Sequence, residues 1–187
     1  MYIKFLITGH PRRAMRQIYW YWRLRNPSIN TKLHIGCGAR KRDGCINIDM
    51  NYSAAVDYVC DAGSLPCPSS SVDCIETYHL VEHLSINEMN HVLEEWCRIL
   101  KPKGRLVIEC PEIRRAMREY LEGNEERIYS IYGRQRFVGD THYWGYTVDS
   151  LSKILIKIGF AECVERSPED YHVGSEPCFR VECVKAV

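Results

Sequence analysis

The sequence predicts an α/β fold of the Rossmann type, with a seven-stranded, mostly parallel sheet and helices on both faces. Short apolar runs rich in β-branched residues alternate with longer amphipathic segments, a pattern typical of a parallel sheet covered by helices. The first two runs end in Gly36-Cys37-Gly38 and in Asp49. A strand that stops at Gly-x-Gly lets the backbone turn sharply beside a flat ligand, because no Cβ intervenes. Both observations indicate a nucleoside-binding sheet.

Seven segments have the composition of strands. Five apolar, β-rich segments are expected to form the parallel part of the sheet, at 32–36, 45–49, 56–60, 72–77 and 105–110. Two later strands are expected at 161–166 and 179–186.

Two helices are predicted before the fifth strand. Pro11 is a suitable first residue for a helix through Arg25. Ser85 and Glu88 form a capping box at the start of a second helix with one apolar face. The Lys-Pro-Lys-Gly segment at 101–104 is expected to end it.

The second half of the chain contains an insertion and one further helix. Residues 111–146 have helical character at first and aromatic residues throughout. Thr147 is the expected cap of a helix over 148–158 that Gly159 stops. We therefore divide the chain into a basic, aromatic, helical lead-in at 1–30 and one domain at 31–187.

The spacing between the glycine turn and Asp49 indicates the cofactor. A dinucleotide site needs a third small residue and a helix that faces the pyrophosphate. Lys41 holds that third position, and only ten residues separate Gly38 from Asp49, so no full helix fits between them. S-adenosylmethionine (SAM) suits such a site, because it has a ribose and an adenine but no phosphate; NAD and FAD are disfavoured. Asp49 is placed to accept hydrogen bonds from the ribose hydroxyls.

Five landmarks in order resemble the class I SAM-dependent methyltransferases: LHIGCG at 33–38, Asp49, Cys60-Asp61-Ala62 followed by Leu65-Pro66, SVDCIETYHLVEHL at 71–84, and RILKPKGRLVIECPE at 98–112. The resemblance implies SAM as cofactor, S-adenosylhomocysteine (SAH) as product, and an antiparallel pair as the last two strands. It implies cofactor contacts by His34, Gly36, Cys37, Gly38, Asp49, Met50, Asp61, Ala62, Tyr78 and His79.

Later features are similar to small bacterial methyltransferases of surface-polysaccharide and glycan pathways: Gly133-Arg134-Gln135, Asp140-Thr141-His142, Tyr146 and Gly159-Phe160. This likeness implies O-methylation of a small hydroxylated acceptor, such as a sugar or glycan precursor. Two alternatives stay open: N- or C-methylation of another small molecule, and a non-catalytic module that binds SAM or a partner.

A hydroxyl acceptor must lose a proton, and a positioned base accelerates that step by ~10²–10⁴-fold. His142 is the leading candidate, because histidine titrates near neutrality and Asp140, two residues away, is placed to orient it. His79 is the second candidate. The alternative is that His142 is an ordinary loop histidine. The insertion at 111–146 is expected to form the acceptor side of the site.

The segment from His79 to His83 also fits the His-x-x-Glu-His pattern of a zinc protease class. That chemistry needs both histidines on one helix face, whereas this segment directly follows a predicted strand. We therefore expect no metal at His79 and His83. His83 is expected to tie this turn to the sheet, and His34 to be a satisfied core residue.

The composition of the chain indicates its cellular location and the classes of partner that it can bind. The ten cysteines lie largely in apolar strand runs, as buried free thiols do, which favours the cytoplasm. No signal peptide or membrane span is expected. Residues 1–25 carry six basic residues and no acid, among six aromatics. The helix at 11–25 either packs on the sheet beside the cofactor site, with Met15, Ile18 and Trp22 as its apolar face, or contacts an anionic membrane surface. Nucleic-acid binding is disfavoured, because the rest of the chain is acidic.

Overall fold

A seven-stranded sheet organises residues 11–187, the part of the chain that this computed structural model describes. The strands are β1 Lys32–Ile35, β2 Ile46–Asp49, β3 Tyr58–Val59, β4 Val72–Tyr78, β5 Leu100–Pro111, β6 Phe160–Arg166 and β7 Cys178–Lys185. Their order is β3-β2-β1-β4-β5-β7-β6. The first five are parallel, and β7 runs antiparallel to β5 and β6. The predicted fold class is confirmed. The expectations for residues 1–10 lie outside the described residues.

The connection from β1 to β2 contains no helix in residues 36–45. The chain returns to the start of β2 through turns alone. At the carboxyl end of β1, the backbone N–H groups of Gly36 and Cys37 both donate to the Ile48 carbonyl, at 2.9 and 3.2 Å. The shortened first crossover is thus confirmed.

Two strands differ from their predictions by more than one residue at an end. β5 begins at Leu100, five residues early, because the segment at 101–104 bulges out of the strand between two pairings with β4 rather than forming a turn before it. β3 has only two residues. Just before it, the Asp57 carboxylate accepts a hydrogen bond from the backbone N–H of Asn47 at 3.0 Å, a bond that a backbone carbonyl would accept in a longer strand.

Within residues 11–187, five α-helices accompany the sheet: α1 Pro11–Arg25, α2 Ile86–Ile99, α3 Ile113–Leu121, α4 Ile128–Tyr132 and α5 Val148–Ile158. Ser85 and Glu88 form the predicted capping box of α2. Thr147 caps α5, and Gly159 ends it at a φ of 120°. The apolar face of α2 lies in the core, where Trp96 is fully buried and donates from Nε1 to the Ala62 carbonyl at 3.0 Å.

Helix α1 packs against β3, the edge strand of the sheet. The Gln17 side chain accepts from the backbone N–H of Val59 at 3.0 Å, and Arg16 donates to Asp57 at 2.9 Å. Leu24 is fully buried. The helix therefore covers the backbone of an edge strand, which unpaired would be open to other chains.

The expected apolar face of α1 does not face the sheet. Met15, Ile18 and Trp22 are 70%, 64% and 67% exposed. The helix packs on the sheet, as one interpretation predicted. It does so through Gln17 and Leu24, however, and not through the predicted apolar face. No residue of α1 lines the cavity described below, so the helix does not fence it.

The insertion after β5 begins with α3, a 3₁₀ turn at Glu125–Arg127 and α4, and it continues as a loop to residue 146. All ten cysteines are free thiols. Within residues 11–187, no helix has both the length and the apolar character needed to cross a bilayer.

Candidate active site

A cavity of about 470 Å³ opens at the carboxyl ends of β1 and β4. The glycine turn at 36–40 forms one wall. The turn after β4 contributes His79, Glu82 and His83, and the insertion and the loop before β7 supply the remaining walls. In open α/β sheets, ligands bind in this crevice beyond the carboxyl ends of the strands.

The glycine turn has the shape that a nucleoside ligand requires. Gly36 and Gly38 have φ values of 74° and 54°, which disfavour residues with a Cβ. A Cβ added at Gly38 would meet nothing within 4 Å, so the space beside it is open. Asp49 accepts from the backbone N–H of Gly38 at 2.8 Å, which places a carboxylate directly beside this turn. The geometry of this turn fits SAM, and the binding of the ribose by Asp49 stays a prediction.

Six of the ten expected cofactor residues line the cavity: His34, Gly36, Cys37, Gly38, Tyr78 and His79. Asp49, Met50, Asp61 and Ala62 lie just outside its lining, at or beyond the ends of β2 and β3 on the same sheet edge. Their contacts with the cofactor stay predictions. His34 is buried with its Nδ1 3.0 Å from Asn47 Oδ1, so it has a partner in the core and also reaches the cavity.

The turn after β4 buries a carboxylate. His79 leaves the strand with a φ of 51°, a strained value for a residue with a Cβ. A 3₁₀ turn follows at Val81–His83 and leaves Glu82 only 2% exposed. Neither Glu82 oxygen receives a hydrogen bond. His79 Nδ1 lies 3.2 Å from Oε1, without hydrogen-bond alignment.

Charge in this turn is set by burial and by the neighbouring histidines. Burial alone would raise the pKa of Glu82, but the nearby His79 lowers it to about 2, so the carboxylate is ionised. Burial likewise opposes charge on His79, yet the Cys178 thiol and Glu82 raise its pKa. The pocket therefore holds a buried anion beside an imidazole that favours its protonated form.

Two further histidines have fixed orientations. His83 Nδ1 lies 3.0 Å from the Thr141 carbonyl, and His142 Nδ1 lies 3.0 Å from the Ser130 carbonyl. Because a carbonyl only accepts, both Nδ1 atoms carry the proton, and a neutral ring then has a free lone pair on Nε2. Burial lowers the pKa of His142, which favours that neutral form.

Two expectations about these residues are wrong. Asp140 does not orient His142, because both Asp140 oxygens bind the Arg136 guanidinium, at 2.8 and 3.1 Å. His83 ties the turn to the insertion through Thr141 and not to the sheet. A helix face with both His79 and His83 is also absent from the described chain, since β4 runs to Tyr78 and only a 3₁₀ turn follows. The catalytic roles of His142 and His79 stay predictions.

The loop before β7 supplies a wall that sequence reasoning missed. His172 Nδ1 lies 2.6 Å from Asp170 Oδ2, and its ring centroid is 3.7 Å from that of His79. The Arg40 guanidinium lies over the Tyr171 ring at 3.4 Å, which joins this loop to the glycine turn. Asp170-Tyr171-His172 has the same acid-x-histidine spacing as 140–142, and that repeat was the available signal.

Comparisons with known proteins agree with this geometry. Residues 39–108 match a family model described as a methyltransferase domain. This match covers less than half of the chain and indicates a methyltransferase domain, for which the glycine turn fits SAM as the cofactor. No curated protein matches the sequence significantly.

Solved structures of SAM-dependent methyltransferases share the fold of this chain at low identity. A SAM-dependent methyltransferase from Methanosarcina mazei is 17% identical, with a TM-score of 0.61 over 96% of this chain and 99% of that one. One from Archaeoglobus fulgidus is 16% identical, with a TM-score of 0.57 over 95% of each chain. One from Thermotoga maritima is 17% identical, with a TM-score of 0.57 over 93% of each chain. At these identities the likeness establishes the fold alone, so the acceptor must be argued from the cavity.

Proposed function

We propose that this methyltransferase O-methylates a small hydroxylated acceptor, a sugar or glycan precursor, inside the cavity. The character of the walls formed by the insertion and by the loop before β7 carries the proposal. These walls combine polar or charged side chains with aromatic rings and include Arg127, Tyr129, Ser130, Arg134, Arg136, Phe137, Tyr171 and Glu176. Such walls suit a ligand with many hydroxyl groups, because polar atoms fix its orientation while rings cover its apolar faces.

SAM supplies a methyl group on a sulfonium, a good leaving group, so orientation of the acceptor provides much of the acceleration. The acceptor oxygen forms a bond to the methyl carbon as the sulfur–carbon bond breaks. The bonding electrons stay on sulfur as neutral SAH, and the hydroxyl proton passes to a base or to water. His142 and His79 are the predicted bases, and both line the cavity.

The test is methyl transfer from isotope-labelled SAM to matched panels of sugars, nucleotide sugars and small amines. We expect label in an O-methyl ether. Label found only on amines or on carbon contradicts O-methylation and leaves the N- or C-methylation alternative.

A variant on the acceptor wall locates the binding site. Tyr129→Ala should raise the KM for the acceptor and leave SAH affinity unchanged, because Tyr129 lines the cavity from the insertion and not from the glycine turn. Tyr19→Ala removes an exposed tyrosine on α1 and is the matched control. Equal effects of the two changes would contradict this placement.

We also propose that α1 contacts an anionic membrane surface. Its exposed stripe of Met15, Ile18 and Trp22 supports this, together with five arginines and no acid in residues 11–25. An apolar stripe flanked by cationic side chains is the pattern of a helix that lies in the headgroup region.

Co-sedimentation with phospholipid vesicles tests the membrane contact. We expect binding to vesicles containing phosphatidylserine and not to pure phosphatidylcholine. The Ile18→Ser/Trp22→Ser double variant should lose this binding, whereas Leu121→Ser, a change at another exposed apolar residue, should keep it. Undiminished binding of the double variant would rule out the stripe.

A further inference from the structure

Three side chains from two distant segments meet in the cavity. Glu82 and His83 come from the turn after β4, and His142 comes from the insertion. One carboxylate oxygen and one ring nitrogen of each histidine lie within 4.8 Å of one another. The backbone N–H of Tyr143 donates to the Glu82 carbonyl at 2.8 Å, which holds the insertion against this turn. The grouping is therefore fixed by backbone contacts on both sides.

Both imidazoles are held as metal-binding histidines usually are. Such a histidine donates its other ring N–H to a carbonyl or carboxylate, which fixes the tautomer and the ring orientation. The Thr141 and Ser130 carbonyls do this for His83 and His142, at 3.0 Å in each case. Each ring is left with one nitrogen lone pair for a ligand.

Glu82 supplies an independent observation. Its side chain is almost fully buried, and both of its oxygens lack a hydrogen-bond donor. The neighbouring His79 offsets the charge of this carboxylate, but its two oxygens still lack the hydrogen bonds that water would supply, which is costly for a buried charge. A cation placed between Glu82 and the two histidines would take the place of those hydrogen bonds. His79 alone does not, since it stands beside the carboxylate without donating to it.

We propose that Glu82, His83 and His142 form a binding site for a divalent transition-metal ion. Two imidazole nitrogens and one carboxylate oxygen form the ligand set of catalytic Zn²⁺ sites and of other open divalent sites. Three protein ligands leave further coordination positions, and all three residues line the cavity, so an open position faces the ligand space. This differs from the expectation of no metal, which considered His79 and His83 as the pair.

The role of the ion rests on the proposed function. An ion at this place coordinates the acceptor hydroxyl and lowers its pKa, and the released proton passes to water. The His142 lone pair is then occupied by the metal, so His142 acts as a ligand and not as the base.

The second group in the cavity, formed by His79, Asp170 and His172, provides the matched control. Its ligand atoms are similarly close. However, His172 Nδ1 and Asp170 Oδ2 are hydrogen-bonded to each other at 2.6 Å, so each of these two atoms has a partner without an ion. A change at His172 alters a histidine of the same cavity without removing a proposed ligand.

The experiment uses full-length protein, stripped with a chelator and titrated with Zn²⁺ and, separately, with Co²⁺. We expect one equivalent of tight binding, with a Co²⁺ spectrum free of sulfur charge-transfer bands, which excludes the ten cysteines. Glu82→Gln and His142→Gln should each weaken binding at least ~10–100-fold, the loss seen when even a supporting residue of a metal site is removed. His172→Gln should bind as the wild type does. Far-UV circular dichroism verifies that each variant is folded.

Three results would overturn the site. These are no stoichiometric binding to the wild type, unchanged binding in Glu82→Gln and His142→Gln, or a loss in His172→Gln as large as in those variants. Metal binding is measured without acceptor, so it succeeds or fails separately from methyl transfer. Methyl transfer by protein shown to be metal-free, at the rate of the Zn²⁺-loaded protein, would remove the catalytic role and leave the proposed function intact.

Discussion

Asp57 and Glu82 are both 2% exposed, yet they have opposite surroundings. Asp57, on the cofactor half of the sheet, accepts from the backbone and side chain of Asn47 at 3.0 and 3.1 Å and from Arg16 at 2.9 Å. Glu82, in the cavity, accepts from no donor. Since burial costs a carboxylate its hydration, Asp57 recovers that cost through hydrogen bonds within the fold.

This difference separates structural acids from functional ones. The Asp57 bonds join α1, β2 and β3, so removal of that carboxylate should act on folding. The Glu82 carboxylate receives no hydrogen bond, has only the neighbouring His79 beside it, and faces a cavity lined by histidines, so its removal should act mainly on activity. Proteins retain such unsatisfied groups mainly where they are used, at a cost in stability.

The largest expected effect is on turnover. Glu82→Gln should lower kcat at least ~10²-fold, the lower end of the contribution of a positioned polar catalytic group. The melting temperature should stay near that of the wild type. The measurement is the initial rate of labelled methyl transfer at saturating SAM. Glu126→Gln changes an exposed acid on the rim of the same cavity and is the control. A full rate in Glu82→Gln would end the functional interpretation.

A third carboxylate tests the comparison from the cofactor side. Asp49 accepts from the backbone N–H groups of Gly38 and Asn51, at 2.8 and 2.7 Å, and it is only partly buried. Asp49→Ala should weaken SAH binding by ~1–3 kcal/mol, through lost hydrogen bonds to the ribose. Calorimetry measures this, with Asp43→Ala, an exposed acid of the same connection, as the control. Unchanged SAH affinity would mean that Asp49 only shapes the turn.

Asp57→Asn should lower the free energy of unfolding by ~1–2 kcal/mol, because an amide replaces one of the two acceptor oxygens with a donor. Chemical denaturation at neutral pH measures this change. Catalytic constants at 25 °C should not change.

The pH dependence of stability gives an internal control for Asp57. Burial opposes its charge, but Asn47 and Arg16 outweigh this and lower its pKa. A lowered pKa contributes stability that is present above the unfolded value and lost as pH falls through the folded one. Wild-type stability should therefore decline below about pH 4, and Asp57→Asn should flatten that decline. An identical acid limb in the two proteins would contradict the assignment.

The fold was largely predictable from local signals. Capping residues fixed the starts of α2 and α5, and the short interval between Gly38 and Asp49 ruled out a first crossover helix. Errors arose where contacts distant in sequence decide the outcome. The apolar residues of α1 indicated a buried face at Met15, whereas the sheet edge binds Gln17.

Part of the residues that line the cavity could be predicted from the sequence. The glycine turn and His142 were found, because each lies in a recognisable motif. The lack of hydrogen bonds to the Glu82 carboxylate could not be predicted, because it depends on the positions of donors that are distant in the sequence. Proximity along the chain also misled, because Asp140 is two residues from His142 and yet binds Arg136.

The smallest expected effect is the sharpest test of the comparison. Glu82→Gln should lower the free energy of unfolding less than Asp57→Asn does, when both are measured on metal-free protein. The amide loses the attraction to His79 that lowers the pKa of Glu82, but it also removes a buried charge that has no hydrogen-bond donors and adds an N–H₂ group beside imidazoles, of which neutral forms can accept. Chemical denaturation of Glu82→Gln and Asp57→Asn under the same conditions gives the contrast directly. A loss in Glu82→Gln equal to that in Asp57→Asn would show that both carboxylates stabilise the fold, and the distinction between them would fail.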